Sequence, residues 1–148
     1  MSEAEQKMPP SGTITWTEIP VMNMTRAQEF YKSAFDWTLK PMPAVCPKTG
    51  KTLDEPNVVL FGVGSVEAGN FRKVAEADHL SPARDGSKSK AAVRVTIAVT
   101  SIDETVKLIE KAGGEIYIPK VEIPGNMGFI AFFLDTEKNV MGIWSNKG

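Results

Sequence analysis

The sequence predicts an α+β fold in which two tandem βαβββ modules form curved mixed sheets around a shared cleft. A strand pattern that leads directly into an amphipathic helix occupies 14–36, and the same pattern recurs at 93–114. The two copies align at a constant offset of 78 residues, which pairs Val21 with Val99. Three shorter strand patterns follow each copy. Together these observations indicate a duplicated unit.

Composition divides the chain into a lead-in and one domain. The charged residues, Pro-Pro pair and Ser-Gly step of 1–12 are typical of a disordered segment. The remaining 13–148 is long enough for one compact core and too short for two, so we interpret it as a single domain. Module one then spans 13–75, a polar and breaker-rich connector spans 76–90, and module two spans 91–148.

In module one, alternation over 13–21 predicts the first strand, and apolar residues at spacings of three and four predict a helix over 24–35. Asn23 is placed to cap that helix, because its side-chain oxygen can accept a hydrogen bond from a free amide of the first turn. The proline-rich stretch 41–57 is interpreted as a surface loop and a candidate flap over the site. The other predicted strands are 37–39, 58–63 and 70–74.

In module two, the alternating stretch 92–99 predicts the first strand. Ser101 and Glu104 form a capping box at the start of the next helix, which the pair Gly113-Gly114 is expected to end. Asp135 and Asn139 lie in a turn where their side chains suit local bonds to the backbone. The remaining predicted strands are 115–118, 129–134 and 140–144.

Strand parity predicts which residues face the cleft. In 92–99 one parity is uniformly apolar, so the helix is expected to cover that side. The other parity, with Arg94 and Thr96, then points into the cleft. The offset of 78 assigns Trp16 and Glu18 to the same side in module one. Because a glutamate is rarely buried without a partner, we expect Arg94 to pair with Glu18.

Composition also bounds the partners. The net charge of -1, from 17 basic and 18 acidic residues, gives no reason to expect nucleic acid or an anionic membrane as a partner. Cys46 is the one cysteine and excludes an intrachain disulfide. The sequence has no run of 18 apolar residues. We therefore expect a soluble cytoplasmic protein whose partner is a small-molecule ligand or substrate.

Two stretches carry a resemblance to a known family. EIPVMNMTRAQEFYKSAFDW in the first half and GGEIYIPKVEIPGNMGFIAFFLDTEKNVMGIW in the second resemble the vicinal oxygen chelate superfamily. This group includes glyoxalase I, bleomycin-resistance proteins and extradiol dioxygenases. The resemblance covers 13–145, and its most specific part is the closing FFLDTEKNVMGIW. It implies the duplicated fold and a homodimer, and it leaves the reaction open because this fold supports several chemistries.

The resemblance also implies four metal-ligand positions. Each first strand of metal-dependent members supplies a His or Gln, and each last strand supplies a Glu. In this chain the two first-strand positions hold Trp16 and Arg94, and one last-strand position holds Gly142. The fourth position falls within 69–74, which contains no acid and no histidine. An indole, a cation and a glycine do not bind a metal cation, so we predict no metal and no cofactor.

The predicted site combines two catalytic candidates with a set of ligand-binding residues. Glu18 is the candidate general base, and Arg94 is the candidate group that polarises a carbonyl. The aromatic members of the binding set are open to a second interpretation as core, which holds most strongly for Phe129. The ligand-binding candidates are Trp16, Thr96, Tyr117, Phe129, Gly142 and Trp144.

The leading hypothesis is a metal-independent, glyoxalase-like protein that binds a small apolar or aromatic metabolite between the modules. If it is an enzyme, the residues suit a lyase or isomerase. Two alternatives stay open: a metal-dependent lyase or isomerase of glyoxalase type, and a non-catalytic sequestering protein of bleomycin-resistance type. His79 is the one histidine and is interpreted as a solvated loop residue.

Overall fold

The computed structural model describes residues 8–42, 46, 48–52 and 56–148. Module one contains β1 (Thr17–Val21), α1 (Met24–Phe35), β2 (Thr38–Pro41), β3 (Val58–Val63) and β4 (Val66–Lys73). A short 3-10 turn follows at Glu76–Asp78. Module two contains β5 (Thr96–Ala98), α2 (Ile102–Lys111), β6 (Glu115–Glu122), β7 (Phe129–Leu134) and β8 (Val140–Ser145). The predicted α+β order of strand, helix and three strands, twice over, is confirmed.

Each module forms one four-stranded mixed sheet. The strand order is β1-β4-β3-β2 in the first sheet and β5-β8-β7-β6 in the second. In both sheets the first strand pairs in parallel with the last strand of its module, and the remaining pairs are antiparallel. β1 and β5 are therefore edge strands of their sheets.

Several predicted strands differ from the observed ones in length. β1 begins at Thr17 and not at 13, and β5 covers only Thr96–Ala98 of the predicted 92–99. β4 and β6 are longer than predicted. Alternation of apolar and polar residues shows which side of an extended segment each side chain takes. It does not require that the segment pairs with a neighbouring strand, so the pattern can extend beyond the paired residues. The lead-in at 1–12 and the candidate flap at 41–57 lie partly outside the described residues.

Both helices bury their apolar stripes in one common core. Phe30 of α1 lies against Phe133 of the second sheet, with ring centroids 6.0 Å apart. Tyr31 is fully buried and stacks on Trp37 at 4.6 Å. The helix-facing residues of both sheets belong to the same cluster: Ile19, Val21, Val59, Phe61, Phe71, Ala131, Phe133, Met141 and Ile143. The opposite faces of the two sheets therefore point away from this core.

The helix caps follow the sequence. The Asn23 side chain accepts a hydrogen bond from the backbone N–H of Arg26 at 2.9 Å, which confirms the predicted N-cap of α1. The Ser101 side chain does the same for the N–H of Glu104 at 3.3 Å. Asp36 ends α1 in the left-handed region with φ 54°, a conformation that Asp tolerates better than most residues.

The turn between β7 and β8 joins the modules. Asp135 Oδ1 accepts the backbone N–H groups of Glu137 and Asn139, which are the predicted local bonds. Its Oδ2 accepts the hydroxyl of Tyr31 at 2.6 Å and so reaches the other module. Burial raises the pKa of Asp135, and these hydrogen bonds oppose that rise. Burial, together with the nearby Asp135 carboxylate, also raises the pKa of Tyr31 well above its usual value.

Glu137 of the same turn is completely buried and holds the start of α1. Its Oε1 accepts the backbone N–H groups of Met22 and Asn23, both at 2.8 Å. Its Oε2 accepts the Nε–H of Arg26 at 2.7 Å. Burial alone would raise the pKa of Glu137, but these hydrogen bonds outweigh burial and lower it. The carboxylate is therefore held in its ionised form at the N-terminus of a helix.

The interpretation of His79 as a solvated residue is wrong. Its side chain is only 1% exposed, and its Nε2 lies 3.0 Å from Asn139 Oδ1. Because the amide nitrogen of Asn139 donates to Asp135 and to the carbonyl of Pro20, its oxygen is an acceptor. Nε2 of His79 must then be the donor in this pair. The sequence shows only a polar neighbourhood, whereas the fold places the ring over the turn.

Replacing Glu137 by Gln should destabilise the protein by about 2 kcal/mol, because Arg26 loses its buried partner and one amide N–H group faces other donors. Because the pKa of Glu137 is lowered on folding, its contribution is present above the usual value of 4.5 and is lost as the pH falls through the folded-state pKa. The free energy of unfolding of the variant should therefore fall less than that of the parent protein as the pH is lowered. Urea titration at several pH values measures both effects.

The matched control is Glu110→Gln, which removes a carboxylate from an exposed position of α2. Its free energy of unfolding should stay within about 0.5 kcal/mol of the parent value. Equal stabilities and equal acid sensitivity for the two variants would contradict the proposed role of Glu137.

Candidate functional site

The outward face of the first sheet carries a chain of polar contacts. The Trp16 indole, which is 46% exposed, donates its Nε1–H to Asn70 Oδ1 at 2.7 Å. The Asn70 amide nitrogen donates to Glu18 Oε1 at 3.3 Å. Glu18 Oε2 lies 3.6 Å from Arg72 Nη1. This arrangement fixes the orientation of the Asn70 amide and leaves one side of the Glu18 carboxylate open to solvent.

The observed ion partner of Glu18 is therefore Arg72, whereas the sequence suggested Arg94. β1 and β4 pair in parallel, and their register places Glu18 beside Asn70 and Pro20 beside Arg72. The side chains of Glu18 and Arg72 are 50% and 63% exposed. An ion pair this exposed contributes between nothing and about 1 kcal/mol, so the Glu18 carboxylate remains available to a ligand.

Asn70 is a site residue that sequence reasoning missed. The register pairs Glu18 with Asn70 in module one and Thr96 with Gly142 in module two. Since Glu18 and Thr96 are equivalent under the offset of 78, Asn70 is the counterpart of Gly142. It therefore occupies the fourth metal-ligand position of the resembled family. The offset of 78 that aligns the first strands does not pair Asn70 with Gly142, because the last strands of the two modules are related by a smaller offset. The sequence alone therefore did not identify Asn70.

The outward face of the second sheet presents Arg94, Thr96 and the backbone of Gly142. The Arg94 guanidinium carbon lies 4.7 Å from the centroid of the Phe132 ring, which is a cation-π geometry. Thr96 is exposed and lies directly beside Gly142. A Cβ atom at Gly142 would lie 2.8 Å from Thr96 Oγ1 and 3.2 Å from the Phe132 ring. A larger side chain at this position would therefore have to displace the Thr96 side chain and the Phe132 ring.

Glu18 and Arg94 line one small cavity between the modules. Its volume is about 150 Å³. Its other walls come from the connector, from the residues next to these two and from the start of β8: Leu80, Pro82, Ile19, Pro20, Ala92, Val93, Val95, Asn139, Val140 and Met141. The structure thus brings the two predicted catalytic candidates to one cavity. A volume this small accepts a polar group or one end of a metabolite, and the remainder would lie over the outward faces.

The structure places three of the predicted aromatic residues elsewhere. Tyr117 is buried and donates its hydroxyl to the backbone carbonyl of Ser87 at 2.9 Å. The Trp144 indole donates to the carbonyl of Met127 at 2.8 Å. Phe129 is half-buried and packs against the core. None of these three lines the cavity of Glu18 and Arg94.

The residues at the four metal-ligand positions do not fit a divalent cation. Trp16 offers an N–H donor, Arg94 offers a permanent positive charge, and Gly142 has no side chain. The Asn70 side-chain oxygen already accepts the hydrogen bond from Trp16. Throughout the part of the chain that the structure describes, no three His, Cys, Asp or Glu residues lie close enough to hold a metal ion. Hydrogen bonds and a cation-π contact occupy the positions that a metal site would use.

Comparison with solved structures identifies the fold. The chain matches glyoxalase I from Zea mays with a TM-score of 0.64 and 18% identity, over 89% of this chain and 45% of that chain. It matches a glyoxalase/bleomycin resistance protein/dioxygenase family enzyme from Burkholderia phytofirmans PsJN with a TM-score of 0.60 and 16% identity, over 89% and 97% of the two chains. A third match is the hypothetical protein SA1046 from S. aureus, with a TM-score of 0.60, 16% identity, and 95% and 96% coverage.

These matches confirm the fold that the resemblance implied. The chain has the fold of these glyoxalase/bleomycin resistance/dioxygenase proteins, and at identities below 20% the likeness concerns the fold alone. No protein-family model matches the sequence, and neither does any curated protein. Among the described residues, no helix has the length and apolar character that crossing a membrane requires.

Replacing Gly142 by Ala should destabilise the protein by about 1–3 kcal/mol, because the new methyl group meets Thr96 Oγ1 and the Phe132 ring. The double variant Thr96→Ala with Gly142→Ala should recover part of that loss. Thermal unfolding of the two single variants and the double variant measures the coupling. The control pair Thr96→Val with Gly142→Ala keeps the side-chain volume and should recover nothing. Additive effects in every pair would contradict the crowding at Gly142.

Proposed function

We propose that this protein binds a small apolar or aromatic molecule, without a metal, on the outward faces around Trp16, Glu18, Arg94 and Gly142. One observation carries the proposal: Glu18 and Arg94 line the same cavity, and each has a different partner, Arg72 for Glu18 and the Phe132 ring for Arg94. A carboxylate and a guanidinium that converge without pairing can hold the two ends of a polar group. Trp16 and the Arg94–Phe132 stack provide flat surfaces for the rest of the ligand.

If the protein turns its ligand over, the same groups suit a lyase or isomerase. Glu18 would accept a proton from a carbon next to a carbonyl group, and Arg94 would stabilise the negative charge that develops on the carbonyl oxygen. In an isomerase the proton then returns from Glu18 to another carbon of the same molecule. In a lyase the enolate expels a leaving group from the neighbouring carbon, and Glu18 passes the proton to that group. Asn70, which donates to Glu18 Oε1, would orient the carboxylate. Oε2 faces Arg72 and solvent and is the oxygen available to the substrate.

The second candidate function is sequestration without turnover, as proposed above from the resemblance to bleomycin-resistance proteins. The exposure of Glu18 favours it, because a general base is usually kept away from water. A metal-dependent lyase or isomerase is disfavoured by the donor set at Trp16, Asn70, Arg94 and Gly142.

A homodimer is part of the proposal, and the edge strands support it. β1 and β5 each have one unpaired side among the described strands. Large apolar side chains lie beside these edges, with Ile14 89% exposed and Val93 97% exposed. Unpaired edges next to exposed apolar groups are the features that a second copy would cover. One unpaired cysteine, Cys46, suits a reducing compartment, and we propose the cytoplasm.

Replacing Glu18 by Gln separates turnover from binding. A thermal-shift screen of metabolite mixtures first identifies a ligand of the parent protein. If the ligand is a substrate, its turnover by the Glu18→Gln variant should fall by about 100-fold or more, while the dissociation constant changes by less than about threefold. The control is Glu29→Gln on the exposed side of α1, which should alter neither quantity.

Three other results discriminate among the candidates. Binding by the parent protein with no detectable turnover would support sequestration. Unchanged turnover by the Glu18→Gln variant would contradict its role as the base. A stoichiometric divalent cation in the purified protein, together with loss of activity on chelation, would contradict a metal-independent site.

Light scattering coupled to size-exclusion chromatography should give a mass of about 32 kDa, twice the 16.1 kDa of one chain. Val93→Glu should shift the protein toward the monomer, because it places a charge beside the β5 edge. Val121→Glu is the control, since Val121 is 51% exposed on β6 at the opposite edge of the same sheet. A parent mass near that of one chain would contradict the dimer.

A further inference from the structure

A second and larger cavity lies where the connector crosses the second sheet. Its volume is about 570 Å³, within the range of pockets that bind small molecules. Four apolar residues form the floor of the cavity: Met22, which follows β1, Ile116 and Tyr117 near the start of β6, and Leu134 at the end of β7. None of the residues around this cavity lines the cavity of Glu18 and Arg94. It is therefore separate from the site proposed above.

Hydrogen bonds hold the connector in place as one wall of this cavity. The Tyr117 hydroxyl donates to the carbonyl of Ser87 at 2.9 Å. Arg84 Nη2 donates to the carbonyls of Glu76 and His79, at 3.2 and 2.6 Å. The His79 ring is itself buried against Asn139 in the turn between β7 and β8. Through His79, the Arg84 side chain is therefore held close to that turn. The wall and the floor are thus joined by specific contacts.

Three cations stand around the apolar floor. Lys88 Nζ lies 5.7 Å from the centroid of the Tyr117 ring, and Arg84 and Lys138 line the same cavity. Within the described part of the chain, none of these three cations has a carboxylate within 4.0 Å. Two glutamates also line the cavity, Glu76 and Glu115, so the lining carries one positive charge in excess. The field at the floor therefore favours a single negative charge.

We propose that this second cavity binds a small organic monoanion, a carboxylate attached to a planar apolar body. The body would lie on Ile116 and Leu134, and the carboxylate would accept hydrogen bonds from Lys88 and Lys138. The one positive charge in excess supplies the selectivity for an anion, and the apolar floor selects against inorganic ions. Because Met22 belongs to module one, Glu76 to the connector and Ile116 to module two, an occupant would contact both modules and the connector.

The test is calorimetric titration of the full-length protein with three probes: benzoate, phenylacetate and indole-3-carboxylate. At least one carboxylate should bind, and its uncharged amide should bind about tenfold more weakly or not at all. Lys88→Met should weaken binding about fivefold. Lys107→Met, which removes an exposed ammonium from α2, should leave the affinity unchanged.

Two further variants separate this cavity from the other site. Arg94→Met removes the cation of the Glu18 cavity and should not change the affinity for the probe. Ala83→Trp fills the second cavity from the connector side and should abolish binding. Equal affinity for carboxylate and amide, or loss of binding in Arg94→Met alone, would overturn the proposal. So would the absence of binding for all three carboxylates at about 10 mM, a concentration that reveals millimolar dissociation constants.

Discussion

The buried carboxylates of the turn between β7 and β8 hold the two modules in one arrangement. Asp135 and Glu137 are both removed from water, and a buried carboxylate is costly unless it is fully hydrogen-bonded. Part of that bonding comes from the other module, through the Tyr31 hydroxyl, the amides of Met22 and Asn23, and Arg26. If the modules separated, these carboxylates would lose those partners. The arrangement of helices and sheets is therefore specified by polar groups as well as by the apolar core.

This arrangement determines what the outward faces can do. With both helices and the inner faces of both sheets in one core, the alternate residues of β1, β4, β5 and β8 face outward. Asn70 and Gly142 are among those residues, and Trp16 and Arg94 precede β1 and β5 on the same faces, so these faces carry the four metal-ligand positions that the resemblance implied. Here Trp16 and Asn70 bond to each other, and Arg94 stacks on Phe132. The residues at these positions therefore differ in chemistry from the metal ligands that the resemblance implied.

The sequence predicted the parts of the structure that depend on local spacing. The order of elements, the caps at Asn23 and Ser101, and the outward parity of Glu18 all follow from periods of 2 and 3.6 residues. Residues that depend on pairing between distant strands were missed. The partner of Glu18 is set by the register of β1 on β4. β4 was predicted only as 70–74, which did not fix its register on β1. His79 is buried because the connector crosses a turn that lies 56–60 residues further along the chain.

Native-state hydrogen exchange tests most directly whether the buried turn joins the modules into one cooperative unit. The amides of Met22 and Asn23 bond to Glu137, and those of Phe71 and Ile143 lie in buried strands of the two sheets. If the account is correct, the strand amides of both modules should exchange with the same free energy of opening, equal to that of global unfolding. The amides of Met22 and Asn23 should also be protected. An opening of module one at markedly lower free energy, with module two still folded, would contradict the account.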